Sequence, residues 1–116
     1  MKKILIAEDN DSNYILMTYI LKKYYQFERA KNGQEAVEMA EKGEYDIVLM
    51  DIKMPVMDGL EATKAIKESL PDLPIIALTA NAFDEDVQRS MQVGMNAHLS
   101  KPAEPDLLYQ TLEELI

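Results

Sequence analysis

The chain contains no cysteine, only one histidine and few positive charges. Without cysteine there is no disulfide, no thiol nucleophile, no thiolate-held zinc and no redox pair, a composition consistent with a reducing compartment. Lys and Arg total 12 against 21 Asp and Glu, a net charge of −9. That balance speaks against neutralising a phosphate backbone, so no direct nucleic-acid contact is expected. Long apolar runs are missing too: none approaches the roughly 20 residues of a membrane span. The opening Met1-Lys2-Lys3 leads to only four apolar or small residues before two acids. Neither signal peptide nor anchor is expected, nor direct membrane contact, and the location expected is cytoplasmic.

What is present is 116 residues, 47% of them apolar and 28% charged. At this size roughly two thirds of the unfolded surface is hidden on folding, enough for one core without staples. One domain over residues 1–116 is expected, with no linker, repeat or low-complexity segment. The acid excess is uneven, since residues 84–116 carry seven acids against two bases.

Short β-branched runs alternate with amphipathic stretches, the pattern of a parallel sheet covered by helices. The runs are Ile4–Ala7, a weaker Phe27–Ala30, Tyr45–Met50, Pro74–Leu78 and Ala97–Leu99. The first, third and fourth in chain order are nearly continuous in hydrophobicity, as central strands buried on both faces should be, so the weak ones are edges. Helices are expected from Asp11 or Ser12 as cap to about Tyr24, over Gln34–Lys42 up to Gly43, over Asp58–Leu70 up to Pro71, over Asp84–Val93 up to Gly94, and over Glu104–Leu115 beginning around Pro105. The first has more apolar residues than one face needs. A stripe of Leu16, Ile20 and Tyr24 suffices for the sheet, which leaves Tyr14, Ile15 and Tyr19 as a candidate docking surface for a partner helix, or as scattered surface hydrophobes.

In an open parallel sheet, ligand chemistry collects beyond the carboxyl ends of the strands. Here those positions are polar: Glu8-Asp9-Asn10, Asp51, Thr79 and Ser100-Lys101-Pro102. Each alone has an ordinary explanation as a helix cap or turn residue. Together, if the strands lie side by side, they place three carboxylates, a hydroxyl and an ammonium in one crevice. Unpaired burial of three acids would cost several kcal/mol, so positive charge must sit among them. Oxygen donors without sulfur or imidazole suit a hard cation, and a shallow crevice that keeps several waters suits Mg²⁺ better than Ca²⁺. Lys101 adds a second, movable positive charge. A phosphoryl group landing there makes sense of the set, because its transfer is mainly positioning and charge neutralisation, and a carboxylate such as Asp51 can accept it covalently.

With those residues the chain resembles the receiver domains of two-component signalling. The resemblance runs from Lys3-Ile4-Leu5 to the last helix and rests on Ala7-Glu8-Asp9-Asn10, on Leu49-Met50-Asp51-Ile52-Lys53-Met54-Pro55-Val56-Met57-Asp58-Gly59, on Ala77-Leu78-Thr79-Ala80 and on Leu99-Ser100-Lys101-Pro102. It implies a flavodoxin-like (βα)5 three-layer sandwich with a parallel five-stranded sheet of order 2-1-3-4-5. It also implies Asp51 as phosphoacceptor, Mg²⁺ held by Glu8, Asp9, Asp51 and the backbone carbonyl of Lys53, and phosphoryl contacts from Thr79, Lys101 and the backbone at Ala80. The partner it implies is a histidine kinase or histidine phosphotransfer domain supplying a phosphohistidine, and Lys101-Pro102 is expected to be cis. Asn13 after the acid pair, Thr79-Ala80-Asn81-Ala82 and Gly94-Met95-Asn96-Ala97-His98 are similar to receiver modules of hybrid histidine kinases, so a parent kinase chain is a further expected context.

Two positions depart from the commonest pattern. Glu8 stands where many receivers have Asp, and its extra methylene favours a cation contact through water. His98 stands where Tyr or Phe often serves as switch partner of Thr79; it is either that partner, with an imidazole that can charge near neutral pH, or a half-exposed edge residue. The competing reading is a small phosphatase or phosphotransferase with Asp51 as transient nucleophile. Such haloacid-dehalogenase-type enzymes want a general acid two residues on, and here Lys53 occupies that place. A nucleotide-binding domain of the same architecture would need a Gly-rich loop after the first strand, and there is none.

Overall fold

A computed structural model describes residues 1–80 and 85–116. The short apolar runs are strands and the amphipathic stretches helices: β1 (Lys3–Ala7), α1 (Asp11–Leu21), β2 (Gln26–Ala30), α2 (Gly33–Lys42), β3 (Ile47–Asp51), α3 (Gly59–Ser69), β4 (Ile75–Thr79), α4 (Glu85–Gln92), β5 (Ala97–Ser100) and α5 (Pro105–Leu115). All strand pairs are parallel, in the order β2-β1-β3-β4-β5. The order turns back between β1 and β3, and a crevice opens there beyond the strand ends.

The continuous apolar runs divide by the two-residue period of a strand. Ile4, Ile6, Ile47, Leu49, Ile76 and Leu78 face Met17 and Leu21 of α1 and Leu108 and Leu112 of α5. Leu5, Ala7, Val48, Met50, Ile75 and Ala77 face Ala36 and Ala40 of α2 and Ala62 and Ile66 of α3. Central strands are buried along their length, whereas β2 and β5 alternate with exposed positions, as edges do. Each fully buried Ile or Leu contributes roughly 1.5–3 kcal/mol, so the two layers anchor the strand ends from both sides. Among the described residues no helix is long and apolar enough to cross a membrane.

Among the described residues, three helices start on side-chain caps. Asn10, Asn32 and Asp58 accept from the N–H groups of Asn13, Glu35 and Glu61 at 3.0, 2.8 and 2.8 Å, each such cap being worth about 1 kcal/mol. The cap of α1 is therefore Asn10, not Asp11 or Ser12. That assignment relieves Glu8 and Asp9 of capping.

The packing face of α1 also differs from expectation. Met17 and Leu21 are buried, Tyr14 continues their stripe one turn earlier, and Leu16 and Tyr24 are 44% and 55% exposed. Apolar residues surround this helix, so periodicity fits two phases equally well, and the sheet selects the one begun by the Asn10 cap. The helix stops at Leu21, whose carbonyl accepts from both Tyr24 and Tyr25, and Tyr24 lies past its end. Of the three residues expected to face outward, Ile15 and Tyr19 do, at 52% and 67% exposure. Tyr14 does not: its ring meets Phe27 edge-on at 6.4 Å and lies beneath the Arg29 guanidinium. The expected helix start at Asp84 and the Asn81-Ala82 part of the Thr79 segment lie outside the described residues.

Candidate functional site

Each central strand delivers one polar residue to the crevice at its carboxyl end. Asp51 closes β3 and Thr79 closes β4, and both are nearly fully buried. Glu8, one residue past β1, is fully buried, while its neighbour Asp9 is exposed. Lys101 follows β5; its N–H donates to the Thr79 carbonyl at 2.8 Å, and its bond to Pro102 is cis. The ammonium reaches back across the sheet to the ends of β1 and β3.

The ammonium lies 2.8 Å from Asp51 Oδ2 and 3.0 Å from Glu8 Oε2. Asp51 Oδ1 accepts the Lys53 N–H at 3.2 Å, and Glu8 Oε1 accepts the Asn10 N–H at 3.2 Å. The ammonium also donates to Glu8 Oε1 at 3.4 Å, while Glu8 Oε2 is held by the ion pair alone, with no hydrogen-bond partner among the described residues. Carboxylate oxygens of Glu8, Asp9 and Asp51 lie within 4.8 Å of one another. Two of these acids, Glu8 and Asp51, share one lysine. Burial pushes the Asp51 carboxyl up to about 6, with the negative charge of Glu8 adding to it and the Lys101 bond opposing it. Lys101 moves upward in turn, because the bonds to Asp51 and Glu8 outweigh its burial.

Asp51, Ile52, Lys53, Leu78, Thr79, Ala80 and Lys101 line a cleft of about 100 Å³. That is small beside the roughly 300–1,000 Å³ of sites for organic ligands, and it suits a group such as phosphoryl. Ala80 is exposed at its rim. His98 points away from this cleft: it is exposed on β5, opposite buried Leu99, and borders a second groove with Glu104 and Leu107. The structure thus brings Glu8, Asp9, Asp51, Lys53, Thr79, Ala80 and Lys101 to one place, and sets His98 and the α1 residues apart from it.

Sequence reasoning assigns nothing to Arg29, which an edge strand would ordinarily turn to solvent. Its Nε–H instead donates to the Glu8 carbonyl at 3.0 Å. It also gives no sign of how closely Gly59 approaches β3, where a Cβ would lie 2.1 Å from the Asp51 carbonyl oxygen.

Parallel βα architecture, strand-end acids and a lysine on a cis-proline turn define a receiver-type phosphoacceptor fold. Residues 4–113 match the response regulator receiver domain family, and the chain belongs to it. It is 43% identical over 98% of its length to the hybrid signal transduction histidine kinase B of Dictyostelium discoideum, of which it spans 7%. Its structure superposes with a TM-score of 0.93 on the receiver domain of a Pseudomonas aeruginosa sensor histidine kinase, solved with magnesium coordinated in the active-site cleft, at 38% identity over 98% of this chain and 96% of that one. It is likewise similar, with a TM-score of 0.91 and 31% identity over 98% of this chain and 88% of the other, to a chain in the co-crystal structure of the Saccharomyces cerevisiae phosphotransfer protein Ypd1 and the receiver domain of its downstream response regulator Ssk1. This chain is a receiver domain of two-component phosphorelay signalling.

Proposed function

We propose that Asp51 is the residue phosphorylated, with Glu8, Asp9, Asp51 and the Lys53 carbonyl holding Mg²⁺. The observation that carries this reading is the convergence of three carboxylates within 4.8 Å of one another, two of them buried and paired with the same Lys101 ammonium. Oxygen-only donors and unbalanced negative charge fit a hard dication. When bound, such an ion supplies Lewis-acid neutralisation of the phosphoryl oxygens.

The residues do the rest. With its pKa near 6, Asp51 is mostly ionised at neutral pH and ready to attack. Its oxygen forms a bond to phosphorus in line with the breaking P–N bond of a partner's phosphohistidine, and the imidazole leaves with its electron pair and takes a proton. Lys101, already 2.8 Å from Asp51, turns its ammonium to a phosphoryl oxygen. Thr79 donates its hydroxyl to another, and Ala80, lacking bulk, leaves its backbone open to a third. The domain thereby promotes its own phosphorylation and, with water as nucleophile, its dephosphorylation.

Phosphorylation reaches the surface through the last two βα units. Thr79 moves toward the phosphoryl group, and His98 turns from its exposed position into the space released. A switch from 1:99 to 99:1 needs about 5.5 kcal/mol, within reach of a covalent dianion held by Lys101 and Thr79. The acid-rich final third then meets protein. Ile15, Leu16 and Tyr19 on α1 form an apolar face for a helix of the donor domain, as the association of the similar Ssk1 receiver with a phosphotransfer protein supports. Its setting is cytoplasmic, beside or within a longer hybrid kinase.

Intact-mass analysis after incubation with Mg²⁺ and a small phosphodonor tests the core of this reading. One phosphoryl group should add to the wild-type chain and none to Asp51→Asn. Stoichiometric labelling of that variant would sink the assignment.

A further inference from the structure

Two adjacent acids leave β1 in opposite senses, Glu8 fully buried and Asp9 exposed, and the main chain between them must be held for both to face one cleft. It is held at both polar groups of Glu8. Its N–H donates to the Ala30 carbonyl and its carbonyl accepts from Arg29 Nε, each at 3.0 Å. The second of these bonds is a side-chain contact, and the guanidinium making it is fixed in turn. Arg29 Nη1 lies 2.9 Å from Asp11 Oδ1, and the guanidinium carbon stands 4.5 Å from the centre of the Tyr14 ring. Tyr14 is itself wedged edge-on against Phe27.

Two edges of one rigid plane therefore span the loop: one holds residue 8 and the other residue 11, and Asp9 and Asn10 lie between. Arg29 Nη2 is buried without a partner, a cost borne while the other two nitrogens are engaged. A lysine would carry the same charge but could not bridge two acceptors with fixed geometry.

We infer that Arg29 is a positioning residue for cation binding, setting the β1–α1 loop so that Glu8 and Asp9 converge with Asp51. This rests on the reading of those three acids as the cation site. It makes a prediction opposite in sign to the simplest electrostatic one. A positive charge near a dication site repels the dication, so removing it should tighten binding if charge is all that matters. Removing a loop clamp should weaken binding, by about tenfold if it acts as outer-shell partners of metal ligands commonly do.

The experiment is an Mg²⁺ titration of wild type, Arg29→Gln and Arg29→Lys, followed by the amide resonances of Asp9 and Asn10. Phosphorylation from a small donor is measured in parallel across the same Mg²⁺ range. Positioning predicts about tenfold weaker Mg²⁺ affinity in Arg29→Gln, weakening also in Arg29→Lys, and a phosphorylation rate that recovers at saturating Mg²⁺. Tighter or unchanged affinity in Arg29→Gln overturns the proposal. Should that variant fail to fold, unchanged affinity in Arg29→Lys overturns it, and weakening there supports it. A wild-type chain whose amides do not respond to Mg²⁺ overturns the cation site itself and this inference with it, an outcome visible before either variant is read.

Discussion

The ammonium of Lys101 lies 2.8 Å from Asp51 Oδ2, and the same ammonium lies 3.0 Å from Glu8 Oε2. Burial, with the negative charge of Glu8 adding to it and the Lys101 bond only partly opposing it, raises the Asp51 pKa to about 6 from an ordinary 3.8. The site is thus built under electrostatic stress. Stability and pH response should both report it.

Between pH 4 and pH 6 the folded chain keeps a proton on Asp51 that the unfolded chain has released. Stability therefore falls as pH rises through this window and the Asp51 contribution is flat above it. A shift of about two units corresponds to about 3 kcal/mol. Asp51→Asn removes the penalty, so the variant should gain stability over wild type across the window and hold the gain at pH 7. Urea unfolding of both proteins at pH 4, 5, 6 and 7 reads the effect, because groups that do not touch Asp51 cancel in the difference. A difference independent of pH would contradict the raised pKa.

Lys101→Met leaves Glu8 and Asp51 facing each other without a counter-charge. Breaking a buried pair in this way costs roughly 3–5 kcal/mol. In an Asp51→Asn background the same change should cost markedly less, because one of the two orphaned charges is gone. Equal losses in both backgrounds, measured by denaturant midpoint at pH 7, would show that Lys101 stabilises by packing alone.

The sheet was legible because β1, β3 and β4 are buried on both faces and so read as unbroken apolar runs, with Asp51 and Thr79 standing where those runs meet polarity. The phase of α1 was not, because Tyr14, Ile15, Leu16, Met17, Tyr19, Ile20 and Leu21 surround the helix and only the sheet decides which are covered. Arg29 was invisible for another reason. Its partner Glu8 is 21 residues away, just past the end of the neighbouring strand, and no local pattern marks a side chain that will fold back onto a main-chain carbonyl. Val56 is the opposite case, a residue whose local conformation contradicts its type.

Val56 has φ +69°, and across it the Met57 N–H donates to the Pro55 carbonyl at 2.7 Å. This i→i+2 bond with a positive central φ is the strained form of γ-turn, and a β-branched side chain makes it worse. Val56 is 82% exposed, so its side chain returns little by packing. Val56→Gly relieves the steric strain of roughly 1–2 kcal/mol and loses part of that to unfolded-chain entropy. A net gain of about 0.5–1 kcal/mol in thermal or urea unfolding is expected. A loss would mean that the valine makes a contact worth more than the strain.

Gly59 shows how tightly the carboxyl end of β3 is packed. Its N–H donates to the Ile52 carbonyl at 2.8 Å, and a Cβ at this position would lie 2.1 Å from the Asp51 carbonyl oxygen and 2.9 Å from the Ile52 Cα. These are backbone atoms held in the sheet, so no side chain can rotate away to make room. Gly59→Ala must push α3 outward or shift the end of β3, at a cost of roughly 1–3 kcal/mol or more. The second response displaces Asp51 from Lys101 and from the Lys53 N–H, so phosphorylation should fall by more than the fraction unfolded explains. Comparing intact-mass labelling with the folded fraction from circular dichroism separates the two responses. Labelling that tracks the folded fraction would show that α3 yields and the strand end stays in place.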